Sequence, residues 1–217
     1  DYYEAFDQPK VLYVDITWSA SFSLDMSGRF TNNTGYFIPT GSQWLTSVLN
    51  APIGWHFAWR KAQHGKDEAL RYFTSFVETY PIPPMPDGFE DLNLVPQMAA
   101  LKSQVSEAGS LITNWLRHEF SLEKPGPALS APHTFDADGF ATAVRATLPK
   151  RQRLSAADIQ RLKDEHKGTI EPARVAAAEA LSLERRLSDL VNAAYGLTSE
   201  EVKLMWDTAP PRMPFTP

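Results

Sequence analysis

Cysteine is absent from this 217-residue chain, so neither a disulfide framework nor a thiolate metal site can form. No G-x-G or G-x-x-x-x-G-K-[ST] run occurs, and no glycine loop cradles a nucleotide. The G-x-S-x-G elbow of serine hydrolases is missing as well. His56, His64, His118, His133 and His166 are scattered without an H-x-x-x-H pair, so no metal site is expected. No apolar run reaches the ~18–20 residues that cross a bilayer, and no charged n-region with an apolar core opens the chain. The sequence therefore reads as cytoplasmic, with no membrane partner. Excess positive charge is also lacking. A net charge of -5 argues against a generic nucleic-acid coat but leaves room for a local basic face.

Hydrophobic residues at 43% and charged residues at 22% are the balance of a globular chain with a real core. The chain opens on Asp1 rather than Met, which reads as part of a longer polypeptide. Proline clusters at Pro81-Ile82-Pro83-Pro84-Met85-Pro86, Pro125-Gly126-Pro127 and Pro210-Pro211, and such clusters punctuate a chain rather than build helices.

Before the first cluster the pattern is strand-like. Val11–Thr17 is β-branched and aromatic, with Leu12, Val14 and Ile16 on one face. Phe22–Leu24, a turn over 25–28 and Arg29–Thr31 read as a hairpin, and Asn32-Asn33-Thr34-Gly35 as a second turn into Tyr36-Phe37-Ile38. Ser42 suits the cap of a short helix, Ile53–Ala62 a second helix, and His64–Glu68 a polar loop. Helices are expected over Val95–Arg117, over Asp138–Leu148, and from the capping box Ser155–Asp158 to about Lys167. Pro172 suits the first turn of the longest helix, Gly196 its end, and Thr198–Glu201 caps the last. The expectation is an α+β chain, with a mixed sheet and short helices over residues 1–86 and a mainly helical region over 87–217.

Two acidic-x-Lys tripeptides, Glu201-Val202-Lys203 and Glu165-His166-Lys167, match the pattern by which nucleases hold a metal and steady a water. Glu201 falls at N3 of a capping box, where a carboxylate satisfies an orphan amide, and Glu165 and Lys167 lie late in a helix on a solvated face, so no catalytic residue is assigned. The aromatics of the first part, among them Trp18, Phe22, Phe30, Trp44 and Trp55, could offer base-stacking surfaces, but at strand and helix spacing they read as core. The stretch Arg60, Lys61, His64, Lys66 and Arg71 is the best local candidate for phosphate contact. A second basic run comprises Arg145, Lys150, Arg151, Arg153, Arg161, Lys163 and Lys167.

Asn33-Thr34-Gly35-Tyr36-Phe37-Ile38-Pro39, then Leu45 to Leu49-Asn50-Ala51-Pro52, then Tyr80-Pro81-Ile82-Pro83 occur in that order. This order resembles the C-terminal target-recognition domain of type IIG restriction–modification enzymes and related adenine-specific DNA methyltransferases. In that family an N-T-x-Y-F-I-P run precedes an L-L-x-x-L-N-S helix, an aromatic helix, a basic loop and L-P-I-P. Here Ala51-Pro52 follows Asn50 where serine is usual, and Tyr80 replaces leucine. The run Leu190-Val191-Asn192-Ala193-Ala194-Tyr195-Gly196-Leu197-Thr198, with Glu200 and Glu201, is similar to the tail of the same proteins. Between about Asp87 and Pro172 the resemblance is thin.

The resemblance implies a module that reads double-stranded DNA from one wall of a cleft facing an upstream methyltransferase domain of the same chain. S-adenosylmethionine would bind in that upstream domain and no cofactor here. The Asn/Asp-Pro-Pro-aromatic clamp is absent, since Pro83-Pro84 follows Ile82 and Pro210-Pro211 follows Ala209. Turn position and charge nominate Arg29, Asn32 and Asn33 for base edges, and Arg60, Lys61, His64, Lys66 and Arg71 for phosphates. The alternative is a helical protein-interaction module with no DNA contact. A contiguous basic face near Arg60–Arg71 favours DNA, and an exposed apolar stripe on the long helix favours a partner.

Overall fold

In the computed structural model, described over residues 2–149 and 151–216, the strand expected over Val11–Thr17 is broken at Asp15. It becomes β1 (Lys10–Val14) and β2 (Ile16–Thr17). Then follow β3 (Ser23–Asp25), β4 (Gly35–Ile38), α1 (Gln43–Asn50) and α2 (Pro52–Lys61). Next come β5 (Gln63–His64), β6 (Leu70–Arg71) and α3 (Thr74–Val77). Past the first proline cluster lie α4 (Leu94–Phe120), α5 (Ala137–Thr147), α6 (Ala156–Glu165), α7 (Glu171–Ala194) and α8 (Ser199–Asp207). The α+β class is as expected, with small sheets and short helices first and a mainly helical region after. The strands, expected as one mixed sheet, form two three-stranded antiparallel sheets, β3-β1-β4 and β2-β6-β5.

Asp15 makes the break because its two backbone groups serve different sheets. Its N–H donates to Thr34 O at 3.1 Å beside β4, and its carbonyl accepts Tyr72 N–H at 2.6 Å beside β6. The phase of the strand also differs from the expectation. Val11, Tyr13 and Thr17 are the buried residues, while Val14 and Ile16 are exposed. Tyr13 holds this phase by packing between Phe22 and Tyr36, each with ring centroids 5.5 Å away.

Arg29–Thr31 is not the second arm of a hairpin. β3 pairs with β1, Lys10 opposite Asp25, and the chain beyond winds around the buried Asp25 carboxylate. That carboxylate accepts Ser27 N–H at 3.0 Å, Ser27 O–H at 2.7 Å, Arg29 N–H at 2.8 Å and the Lys10 ammonium at 2.7 Å. Lys10 is itself fully buried and also donates to Phe6 O at 2.5 Å. Each buried charge thus meets an opposite charge and further hydrogen bonds, which a buried ion pair needs to offset its desolvation. Gly28 at φ +73° supplies the left-handed step in this loop.

The chain divides into two compact units, one holding residues up to Val95 together with those from Glu184 onward, the other Pro96–Leu183. In the first unit Val11, Tyr13, Phe22, Leu49, Trp55, Tyr72 and Tyr80 form the core, with Met213 packed against it. Trp55 Nε1–H donates to Pro211 O at 2.8 Å, and Tyr195 O–H donates to Pro81 O. Ser42 caps α1 by accepting Leu45 N–H at 3.0 Å. Asn50 then pairs with the Phe22 backbone in both directions, at 3.0 and 2.8 Å.

The second unit is built on Ile112, Leu116, Phe120, Phe140, Val144, Leu162 and Ile170. Its capping box is present, with Ser155 and Asp158 satisfying each other's amides. α6 ends at Glu165, close to the expected Lys167, but the chain stays helical beyond it. It runs through a π turn, His166–Ile170, into α7. This widened turn precedes Pro172, whose missing N–H and bulky ring would otherwise disturb a regular ladder. α4, with 27 residues, exceeds the 24 of α7 and is the longer helix.

Candidate nucleic-acid interface

α2 delivers Arg60 and Lys61 at its last turn, where the cations also complement the negative end of the helix dipole. The chain then passes through β5 and a tight 3-10 turn, Lys66–Glu68, into β6. Gly65 N–H closes that turn on Ala69 O at 2.7 Å, and Asp67 and Glu68 both take left-handed φ, 55° and 61°. Arg60, Lys61, His64 and Lys66 are all exposed on this segment. Among the described residues no ion pair engages Arg60, Lys61 or Lys66. His64 sets its ring edge against Trp59 with centroids 4.7 Å apart, and its Nε2 lies 2.7 Å from Trp59 O. A carbonyl only accepts, so Nε2 carries the proton. Burial first, and then the Arg60 cation, hold the His56 imidazole below its ordinary pKa.

Arg71 differs from its neighbours. Its Nε and a terminal nitrogen reach the two carboxylate oxygens of Asp15 at 2.8 and 2.6 Å, and its guanidinium lies 4.5 Å from the centre of the Phe73 ring. Its charge is already matched.

The Asn32–Gly35 turn reaches the same place through Asp15, which Thr34 O holds from one side and Arg71 from the other. Asn32 Oδ1 accepts Thr34 N–H at 3.1 Å and Thr34 O–H at 2.7 Å, leaving its amide NH₂ to solvent. Asn33 is exposed at the tip. Arg29 belongs to another corner, since its N–H donates to the buried Asp25 while its side chain is exposed.

Trp18, expected in the core, stands beside this segment with Phe73 and Arg212, which the sequence did not nominate. Phe22, Trp44 and Trp55 are buried as expected of core aromatics, but Trp18 is 47% exposed and Phe30 67%. Phe30 covers Phe6 at a centroid distance of 4.9 Å. Among the described residues Trp18 has no such partner ring; its Nε1–H donates to Asp67 O at 3.1 Å. Arg212 points its guanidinium at that same carbonyl from 3.5 Å and lies 3.8 Å from Glu68. Phe73, 36% exposed, completes the group. The exposure of Trp18 was not legible locally, because the Val14–Ile16–Trp18 alternation reads as an apolar face that only the folded sheets turn to solvent. Nothing local announces Arg212.

The acidic-x-Lys candidates resolve into structure, and the second basic run does so in part. Glu201 accepts Thr198 N–H at 2.8 Å in a capping box, and Glu165 accepts Thr169 O–H at 2.5 Å, so both acidic-x-Lys carboxylates serve their own helices. In the second basic run, Arg161 pairs with Glu119 and Asp158 at 2.5 Å each and Lys163 with Asp138 at 2.8 Å, while Arg145, Arg151, Arg153 and Lys167 are exposed and no ion pair engages them among the described residues. Lys150 lies outside the described residues. Among the described residues no group of His, Asp and Glu side chains converges to hold a metal ion, and no helix is long and apolar enough to cross a membrane. The second unit carries an open cleft of about 640 Å³ between α4 and the 125–133 loop, walled by Ser106, Ser110, Thr113, Asn114, Ser130 and His133.

Comparison with curated proteins gives no match, and comparison with solved structures gives none. A family described as a domain of unknown function (DUF8810) matches residues 88–191, slightly under half of the chain, and the segment it covers contains the whole second unit.

Proposed function

We propose that this chain is the DNA target-recognition module of a restriction–modification adenine methyltransferase of the type IIG kind. In this reading it is cytoplasmic and reads double-stranded DNA, while an upstream domain of the same polypeptide methylates with S-adenosylmethionine. The observation that carries the proposal is the segment Arg60, Lys61, His64 and Lys66, exposed and unmatched by carboxylates, next to a polar turn that Asp15 ties to Arg71. Unmatched cations on one segment release counterions from phosphates and set register, while the Asn32 amide and Asn33 present donors suited to base edges beside them and Arg29 offers its guanidinium at a separate corner. Two of the stretches behind the family resemblance also interlock, Tyr195 with Pro81, which supports treating them as parts of one module.

The alternative of a helical interaction module calls for an exposed apolar stripe on α7. There Val175 is exposed, but Leu187 and Val191 are buried, so that reading has less behind it.

The test is a titration of labelled duplex DNA at several salt concentrations. Replacing Arg60, Lys61 and Lys66 together with glutamine should weaken binding on all sequences and flatten the salt dependence by about 0.9 per lost contact. Unchanged affinity and slope would overturn the proposal. Calorimetry should detect no S-adenosylmethionine binding by this chain, and clear micromolar binding would contradict the assignment of methyl transfer elsewhere.

A further inference from the structure

We infer that the exposed Ile16, Trp18 and Phe73, with the half-buried Arg71 between them, form a stacking platform for unpaired DNA bases, an inference that rests on the DNA-reading proposal and names the state of the DNA it takes. Ile16 stands opposite Arg71 in the β2–β6 register. Trp18 lies two residues beyond the first and Phe73 two beyond the second, so the rings flank the pair at roughly 13 Å of strand length. Both rings are already held, Trp18 by its bond to Asp67 O and Phe73 by the Arg71 guanidinium. Little side-chain freedom would then be lost when a base stacks on either. Lys66 and Arg212 border the Trp18 end, with Asp67 and Glu68 as the acidic neighbours and Glu68 already facing Arg212. Exposed π faces beside cations fit a base with its phosphate. A closed duplex offers only base edges and phosphates, because its π faces are covered by its own stacking.

Trp18 is also a reporter. Trp44 and Trp55 are buried and Trp59, Trp115 and Trp206 half-buried, so a ligand stacking here acts chiefly on Trp18 emission. The probes are a homothymidine strand of about 12 nucleotides, a fully paired duplex, and that duplex with one base lacking a partner. The single strand should quench wild-type fluorescence, and Trp18→Phe should keep binding but lose the quenching. The double variant Trp18→Ala, Phe73→Ala should bind the single strand and the unpaired-base duplex about tenfold more weakly or worse. Its affinity for the fully paired duplex should not change. Quenching that survives Trp18→Phe, or wild-type affinity of the double variant for the unpaired base, overturns the inference. If duplex binding still depends on Arg60, Lys61 and Lys66, only the stacking platform falls. If wild type binds none of the three probes, the DNA-reading proposal falls and takes the platform with it.

Discussion

Asp15 and Arg71, 56 positions apart, meet in a two-point clasp of 2.8 and 2.6 Å at the residue where the chain leaves one sheet for the other. A planar guanidinium on both oxygens of a carboxylate is the stronger geometry of ion pair. Asp15→Asn or Arg71→Met should each lower the urea midpoint of unfolding. A double-mutant cycle should return a coupling of the same sign. A loss of DNA binding on removing Arg71 would therefore mix folding with contact, whereas Arg60, Lys61 and Lys66 are free of that ambiguity.

Lys10 and Asp25 make a separate prediction. Lys10→Met strands a buried carboxylate and should cost about 3–5 kcal/mol, and Lys10→Met with Asp25→Leu should recover much of it. Burial alone would raise the Asp25 pKa, but the bonds from Lys10, Ser27 and Arg29 N–H outweigh it and hold the carboxyl well below the usual carboxylate range. A group depressed in the folded state stabilises fully above its unfolded pKa of about 4 and loses that contribution as pH falls toward the folded value. The urea midpoint should fall as pH drops below about 5. Asp25→Asn should be less stable at neutral pH and show less of this acid dependence.

Asn32 separates turn from recognition. Asn32→Asp keeps the oxygen that accepts from Thr34 and removes the amide donor. If that donor reads a base edge, the variant should lose roughly 1–3 kcal/mol on the cognate site and little elsewhere, with an unchanged melting temperature. Equal weakening on every DNA would assign the effect to added negative charge.

The acidic-x-Lys sites should behave as helix caps. Thr198→Ala should cost about 1 kcal/mol in denaturant unfolding, while Glu201→Gln, which retains an acceptor for Thr198 N–H, should cost only a few tenths. A metal-dependent nuclease activity lost in Glu201→Gln would contradict this assignment.

What could be read in advance follows the range of the interactions. Ser42, Ser155 and Thr198 each meet an amide three residues on, so their caps were legible. The π turn before Pro172 was not, because no residue type marks the residue it adds. The break at Asp15 was hidden inside a run of uniform strand character, since its causes are Thr34, Arg71 and Tyr72. The inverted phase of β1 has the same origin, in rings at 22 and 36. In the candidate interface, charge and turn chemistry located Arg60–Lys66 and Asn32. Which cations stay free and which aromatic stays uncovered depends on partners that only folding brings together, as with Arg71 and Trp18.

The hydrogen bond from Trp55 to Pro211 spans 156 positions. On a ribosome, the residues from Ala51 to Tyr80 would emerge long before the strap that covers Trp55, and loop closure over such a distance is slow. Residues 96–183, whose core draws only on neighbours, are free to collapse in the interval. The unit begun first is thus completed last, and during that interval its nascent core leaves Trp55 without the Pro211 acceptor and open to a chaperone.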